Sequence, residues 1–163
     1  MGTYREALAE YYNGEVLGEA AYSTMLTLAE SDDQRLKLGT LLQLETETKA
    51  WLRPHVLANG VSLEERAQDR ETGATLAGQL SKLSWPQKWQ AFHTGLSKQV
   101  VPRYRALADE AASRGNAKEE AVCRYMVAHE EAQVEFARRE LAGEDTARVL
   151  EPVLKYLKYP LTA

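Results

Sequence analysis

The chain has 163 residues, 44% hydrophobic and 27% charged, with a formal net charge of −4. That length fits one domain with a sizeable core, and the mild acidity carries no electrostatic footprint for nucleic acid, so DNA or RNA binding is not expected. No apolar run approaches the ~18 residues that span a bilayer, the polar opening lacks a signal-peptide core, and a single cysteine, Cys123, excludes an internal disulfide and a Cys-rich zinc site. A cytoplasmic protein without membrane contact is the expectation, with Cys123 as a small core hydrophobe.

Ala, Leu, Glu, Lys, Gln and Arg dominate, and no alternating Val/Thr segment bounded by turn residues offers a strand, so the expected class is all-α. Thr3 with Glu6 forms a capping box that opens a helix over about 3–30. Ser31 with Gln34 repeats the signature for a helix over 32–59, which Asn59-Gly60 stops and Pro54 bends. Ser62 with Glu65 caps a shorter helix inside a long connection, 60–85. Trp85-Pro86 then sets a proline at the start of a helix over 86–114, bent at Pro102. Gly115-Asn116 breaks the chain before a helix over 117–141, and a short C-terminal helix over 145–158 ends before Pro160. Tight turns at 31–33 and 115–116 make two antiparallel hairpins, and 60–85 joins them by one crossover.

Each of three helices carries a glutamate inside its apolar stripe. Glu15 lies in the series Tyr4, Leu8, Tyr11, Glu15, Gly18, Tyr22, Met25, Ala29. Glu45 lies among Leu38, Leu41, Thr48 and Leu52, and Glu130 among Cys123, Val127, Val134, Ala137 and Leu141. Buried carboxylates need a metal, a cationic partner or shared protons. Glu19, Glu47 and Glu131 fall to the side of these stripes and are expected to be solvated or to support them.

These residues resemble the ferritin-like carboxylate superfamily, in flavour its bacterial aldehyde-deformylating-oxygenase-like members, over most of 5–141. Glu15 followed by Tyr22 is similar to the family's first-helix ligand and its tyrosine seven residues on. Glu45 matches the glutamate of a Glu-x-x-His motif in which Thr48 replaces histidine, and Glu130 matches that of a second motif in which Gln133 replaces histidine. On the third long helix Ser97 stands at the expected glutamate, and no Asp or Glu occurs from Thr72 to Ala108. The resemblance implies a ferritin-like four-helix bundle with half of its di-metal ligand set.

A degenerate site of this kind implies a non-catalytic binding or interaction domain with no cofactor. Lys82, Lys88, Lys98, Arg103 or Arg105 of the acid-free stretch would then neutralise the glutamates. The alternative is a di-iron or di-manganese oxidase or oxygenase on Glu15, Glu45 and Glu130, completed by Gln133 and His93. His55 lies too far along its helix to join, and His129 points about 100° away from Glu130. A third expectation is a small-molecule pocket lined by Tyr11, Tyr22, Phe92 and Tyr104. Trp51, Trp85, Trp89, Tyr156 and Tyr159 exceed what one small bundle needs and suggest a homodimer.

Overall fold

The computed structural model describes residues 3–161, and among them there is helix and no strand. Helix α1 (Tyr4–Thr27) opens on the expected capping box: Thr3 Oγ1 accepts the Glu6 N–H, and the Glu6 carboxylate accepts the Thr3 N–H. It stops at Thr27, short of Glu30, where Arg35 reaches back to the Ala29 carbonyl. Helix α2 (Asp32–Ala58) starts on Ser31 and carries Pro54 in its last turns without ending there. Gly60, at φ 66°, turns the chain out of it.

The connection differs from the cap expected at Ser62. Residues 61–66 are not helical, and α3 spans Ala67–Leu80. Glu65 is unavailable to cap because Lys49 and Arg70 hold its carboxylate. Helix α3 lies along α1, and Gly73 makes the close approach possible: a Cβ there would stand 2.2 Å from the Leu17 carbonyl oxygen.

The third long segment is not one bent helix. It divides into α4 (Trp85–Gly95), a π turn (Leu96–Val100) and α5 (Val101–Ser113). The Val101 N–H reaches the Leu96 carbonyl, a wider loop than the α pattern. Pro102 has no N–H to return to Lys98, so the widened turn forms where the α ladder would already be broken. Helix α6 spans Ala117–Leu141 and α7 Thr146–Leu154, shorter than the expected 145–158.

Helix α1 packs on α2 and α3, and α6 packs on α4, α5 and α7, with α7 also reaching α2. Side chains join the two groups in two apolar clusters. One holds Leu8, Tyr11, Leu52, Leu107, Cys123 and Met126, and the other Tyr22, Leu41, Leu44, Trp89, Phe136 and Val149. Each fully buried leucine contributes roughly 2 kcal/mol through area removed from water. Along α1, α2 and α6 the polar residues Glu15, Glu45, Thr48, His129, Glu130 and Gln133 fall where one cluster gives way to the other.

Trp89 is core, packed on Phe136, and the half-buried Trp85 donates its indole N–H to Glu140. Of the aromatic residues expected to serve a dimer, Trp85, Trp89 and Tyr156 thus pack within the chain, and Trp51, though set against Tyr125, and Tyr159 stay exposed. No helix among the described residues is long and apolar enough to cross a membrane.

Candidate metal centre

Glu15 of α1, Glu45 of α2 and His129 of α6 each offer one donor atom, and these atoms lie within 4.8 Å of one another. His129 Nε2 stands 3.5 Å from Glu15 Oε1 and 3.5 Å from Glu45 Oε1. All three residues are buried, with 0% of His129 exposed.

The neighbours hold this geometry from both sides. Thr48 Oγ1 is 3.2 Å from His129 Nδ1. Gln133 Nε2 donates to Glu45 Oε1 at 2.8 Å and lies 3.0 Å from His129 Nε2, while the Tyr22 hydroxyl donates to Gln133 Oε1 at 2.6 Å. The contacts set Nδ1 against the Thr48 hydroxyl and turn Nε2 toward the two carboxylates and the Gln133 amide. Gly18 gives Glu45 its room: a Cβ there would sit 2.2 Å from Glu45 Oε2.

The site is short of positive charge. Burial, then the charges of Glu45 and Glu130, hold the Glu15 carboxyl well above the usual range. Burial, reinforced by Glu45 and opposed by His129, pushes Glu130 up to about 7. For His129 burial acts downward, but its hydrogen bond with Glu45 and the fields of Glu45 and Glu130 together outweigh it, and the net shift is upward.

The neutralisation expected from the basic stretch does not occur. Arg103 pairs with Glu10 and Arg105 with Glu131, and Lys82 and Lys98 are exposed. Buried Lys49 is held by Glu19 and Glu65. Among the described residues no Lys or Arg forms an ion pair with Glu15, Glu45 or Glu130.

Of the residues singled out in the sequence, Glu15 and Glu45 converge. Glu130 is buried beside them but outside the three-donor group, with Oε2 lacking any hydrogen-bond partner. Gln133 orients Glu45. His93, half-buried on α4, stands outside the group, and its carbonyl accepts the Ser97 hydroxyl. Glu19 pairs with Lys49, Glu131 with Arg105, and Glu47 accepts the Lys158 and Tyr159 N–H groups.

His129 was expected to point away and instead completes the group. Because α6 packs on α4, α5 and α7, it buries a broad arc centred on Met126, His129, Gln133 and Phe136. The series through Val134 and Leu141 lies toward its edge, with Leu141 exposed. Met126 and Phe136, large apolar residues in the register of His129, carried that signal in the sequence.

A cavity of about 450 Å³ opens beside the cluster between α1, α3 and the α4–π–α5 segment. Leu17, Leu76, Leu80, Phe92 and Leu96 line its apolar wall, and Glu45, Glu130 and Gln133 its polar end.

The donor set fits a metal ion. Two carboxylates and an imidazole are the chemistry iron and manganese accept, and the buried Glu15 Oε2 has no hydrogen-bond partner. No protein-family model, curated protein or solved structure matches this chain.

Proposed function

We propose that the chain is a ferritin-like bundle that holds one divalent transition-metal ion on Glu15, Glu45 and His129, facing a small-molecule cavity. The observation that carries this reading is the pair of 3.5 Å separations from His129 Nε2 to Glu15 and Glu45, in a buried site without a Lys or Arg partner. Ligand atoms around one ion at bond lengths near 2.1 Å stand about 3.0–3.4 Å apart, close to both separations from His129 Nε2.

The arrangement also accounts for the missing histidine of α2. His129 arrives from α6 and bonds Thr48, the residue standing at that position, so half of the family's ligand pattern is rebuilt from another helix. The other half lacks donors: the Ser97 hydroxyl is engaged by the His93 carbonyl and Gln133 by Glu45, which leaves Glu130 alone.

Bound there, iron or manganese supplies Lewis acidity and one-electron redox chemistry. Glu15 and Glu45 provide negative charge, Thr48 holds the His129 ring at Nδ1, and the Tyr22–Gln133 pair aims Glu45. The apolar wall of the cavity limits water at the polar end.

Elemental analysis of chelator-free protein tests the proposal. The expected result is about one equivalent of iron or manganese, lost in Glu15→Gln and His129→Ala and kept in His93→Ala. Metal-free protein whose melting temperature does not respond to Fe²⁺ or Mn²⁺ would overturn it, and two equivalents would overturn the single-ion count. A metal-free binding domain is the second reading, favoured by the upward shift of His129, since an imidazolium between Glu15 and Glu45 would supply the missing cation. The same measurement separates the two.

A further inference from the structure

We infer that the cavity beside the cluster binds an amine with an apolar body, its ammonium group seated on the Glu130 carboxylate. The cavity volume of about 450 Å³ exceeds what a few waters need, and most of its wall is aliphatic or aromatic. Its polar end is acidic and amide: Glu45, Glu130 and Gln133, with no Lys or Arg among the lining residues.

Glu45 and Gln133 already have partners, each other among them. Glu130 does not: it is 7% exposed, it lines the cavity, and its Oε2 is buried without a hydrogen-bond partner. A buried carboxylate oxygen left alone carries a desolvation penalty that a charged donor removes.

The ligand class follows by elimination. An anion would meet Glu45 and Glu130, and a purely apolar molecule would leave Glu130 Oε2 as it is. An alkyl- or arylalkylammonium ion satisfies both ends, with its hydrocarbon against Phe92, Leu76 and Leu80. Glu130 lies outside the three-donor group, so the ammonium seat uses none of the proposed metal ligands, although Glu45 shares the cavity wall.

Calorimetric titration with n-hexylamine and its neutral isostere n-hexanol tests the proposal on the full chain, both as purified and after chelation, with metal content measured on the same samples. Hexylamine is expected to bind at least about tenfold more tightly than hexanol, the margin of a charge-assisted hydrogen bond. Glu130→Gln should erase that margin while leaving hexanol binding in place. Gly95→Leu adds a side chain at a cavity-lining helical position whose Cβ direction is open, and should weaken binding of both probes, which keeps the test valid if Glu130→Gln fails to fold. Equal affinity for the two probes in the wild type, no binding of either, or unchanged hexylamine binding in a folded Glu130→Gln would overturn the inference. Hexylamine binding to protein that never holds metal would overturn the metal centre and leave this site standing.

Discussion

Thr48 of α2 and His129 of α6 meet through a 3.2 Å contact between Oγ1 and Nδ1, deep in the layer that separates the two apolar clusters. The threonine offers no atom to the three-donor group and instead contacts the ring nitrogen opposite the one that faces Glu15 and Glu45.

Thr48→Val keeps the shape and removes that hydroxyl. Metal affinity should fall about 10–100-fold, the usual effect of losing the partner that orients a histidine ligand. Stability should fall by about 1–2 kcal/mol through an unsatisfied buried ring nitrogen. Competition with a chelator of known affinity and denaturant unfolding of chelated protein measure the two effects, and unchanged metal affinity would remove Thr48 from the site.

Gly18 and Gly73 look equivalent in the sequence but should respond oppositely to alanine. At Gly18 the obstacle is Glu45 Oε2, the end of a flexible side chain, so Gly18→Ala should leave the metal-free fold intact, or up to ~1 kcal/mol more stable by helix propensity, while displacing Glu45 and costing metal. At Gly73 the obstacle is the Leu17 carbonyl, which cannot step aside, so Gly73→Ala should destabilise by about 2 kcal/mol as α3 is pushed off α1. Melting curves and metal content on both variants check the contrast; a stable Gly73→Ala would mean that α3 is loosely held.

The metal-free protein should lose stability as pH rises. The unfolded chain releases the Glu130 proton at its ordinary 4.5, while the folded chain holds it to about 7. The preference for the folded state is therefore complete below 4.5 and lost through the interval up to about 7, on the order of 3 kcal/mol for this group. Glu15 and His129 are also shifted upward and act in the same direction. Urea midpoints of chelated protein at about pH 5 and about pH 7.5 should show the lower value at the higher pH, with a smaller difference in Glu130→Gln. A midpoint that rises with pH contradicts this.

Metal should reverse that trend. Cation binding needs the carboxylates ionised and His129 unprotonated at Nε2, so the rise in melting temperature on adding Mn²⁺ should grow from about pH 5 to about pH 7.5. A pH-independent response would place the ion away from these groups.

Much of the fold was legible because it depends on local chemistry. Thr3-Glu6, Ser31, Gly60 and Asn116 announce helix ends through hydrogen bonds made within a few residues, and the structure uses each of them. Ser62 and Glu65 carried the same signature and failed, because a lysine from α2 competes for Glu65, and that neighbour is distant in sequence. The site divides along the same line. Glu15 and Glu45 fall on the stripes drawn along α1 and α2, where periodicity locates them well. His129 was missed because the stripe along α6 was drawn through Val134 and Leu141, toward the edge of the buried face rather than its centre.

The π turn at Leu96–Val100 sets which residues share a wall. Phe92 and Tyr104 both line the cavity although twelve positions separate them. In an uninterrupted α-helix that spacing turns one side chain about 120° from the other, whereas absorbing a single residue in a wide turn brings them within about 20°. The turn thus works as a one-residue phase shift. Deleting one residue there would restore a regular helix with Phe92 and Tyr104 still on one wall, whereas drawing the full-length segment into a regular α-helix would send one side of the cavity lining toward different neighbours.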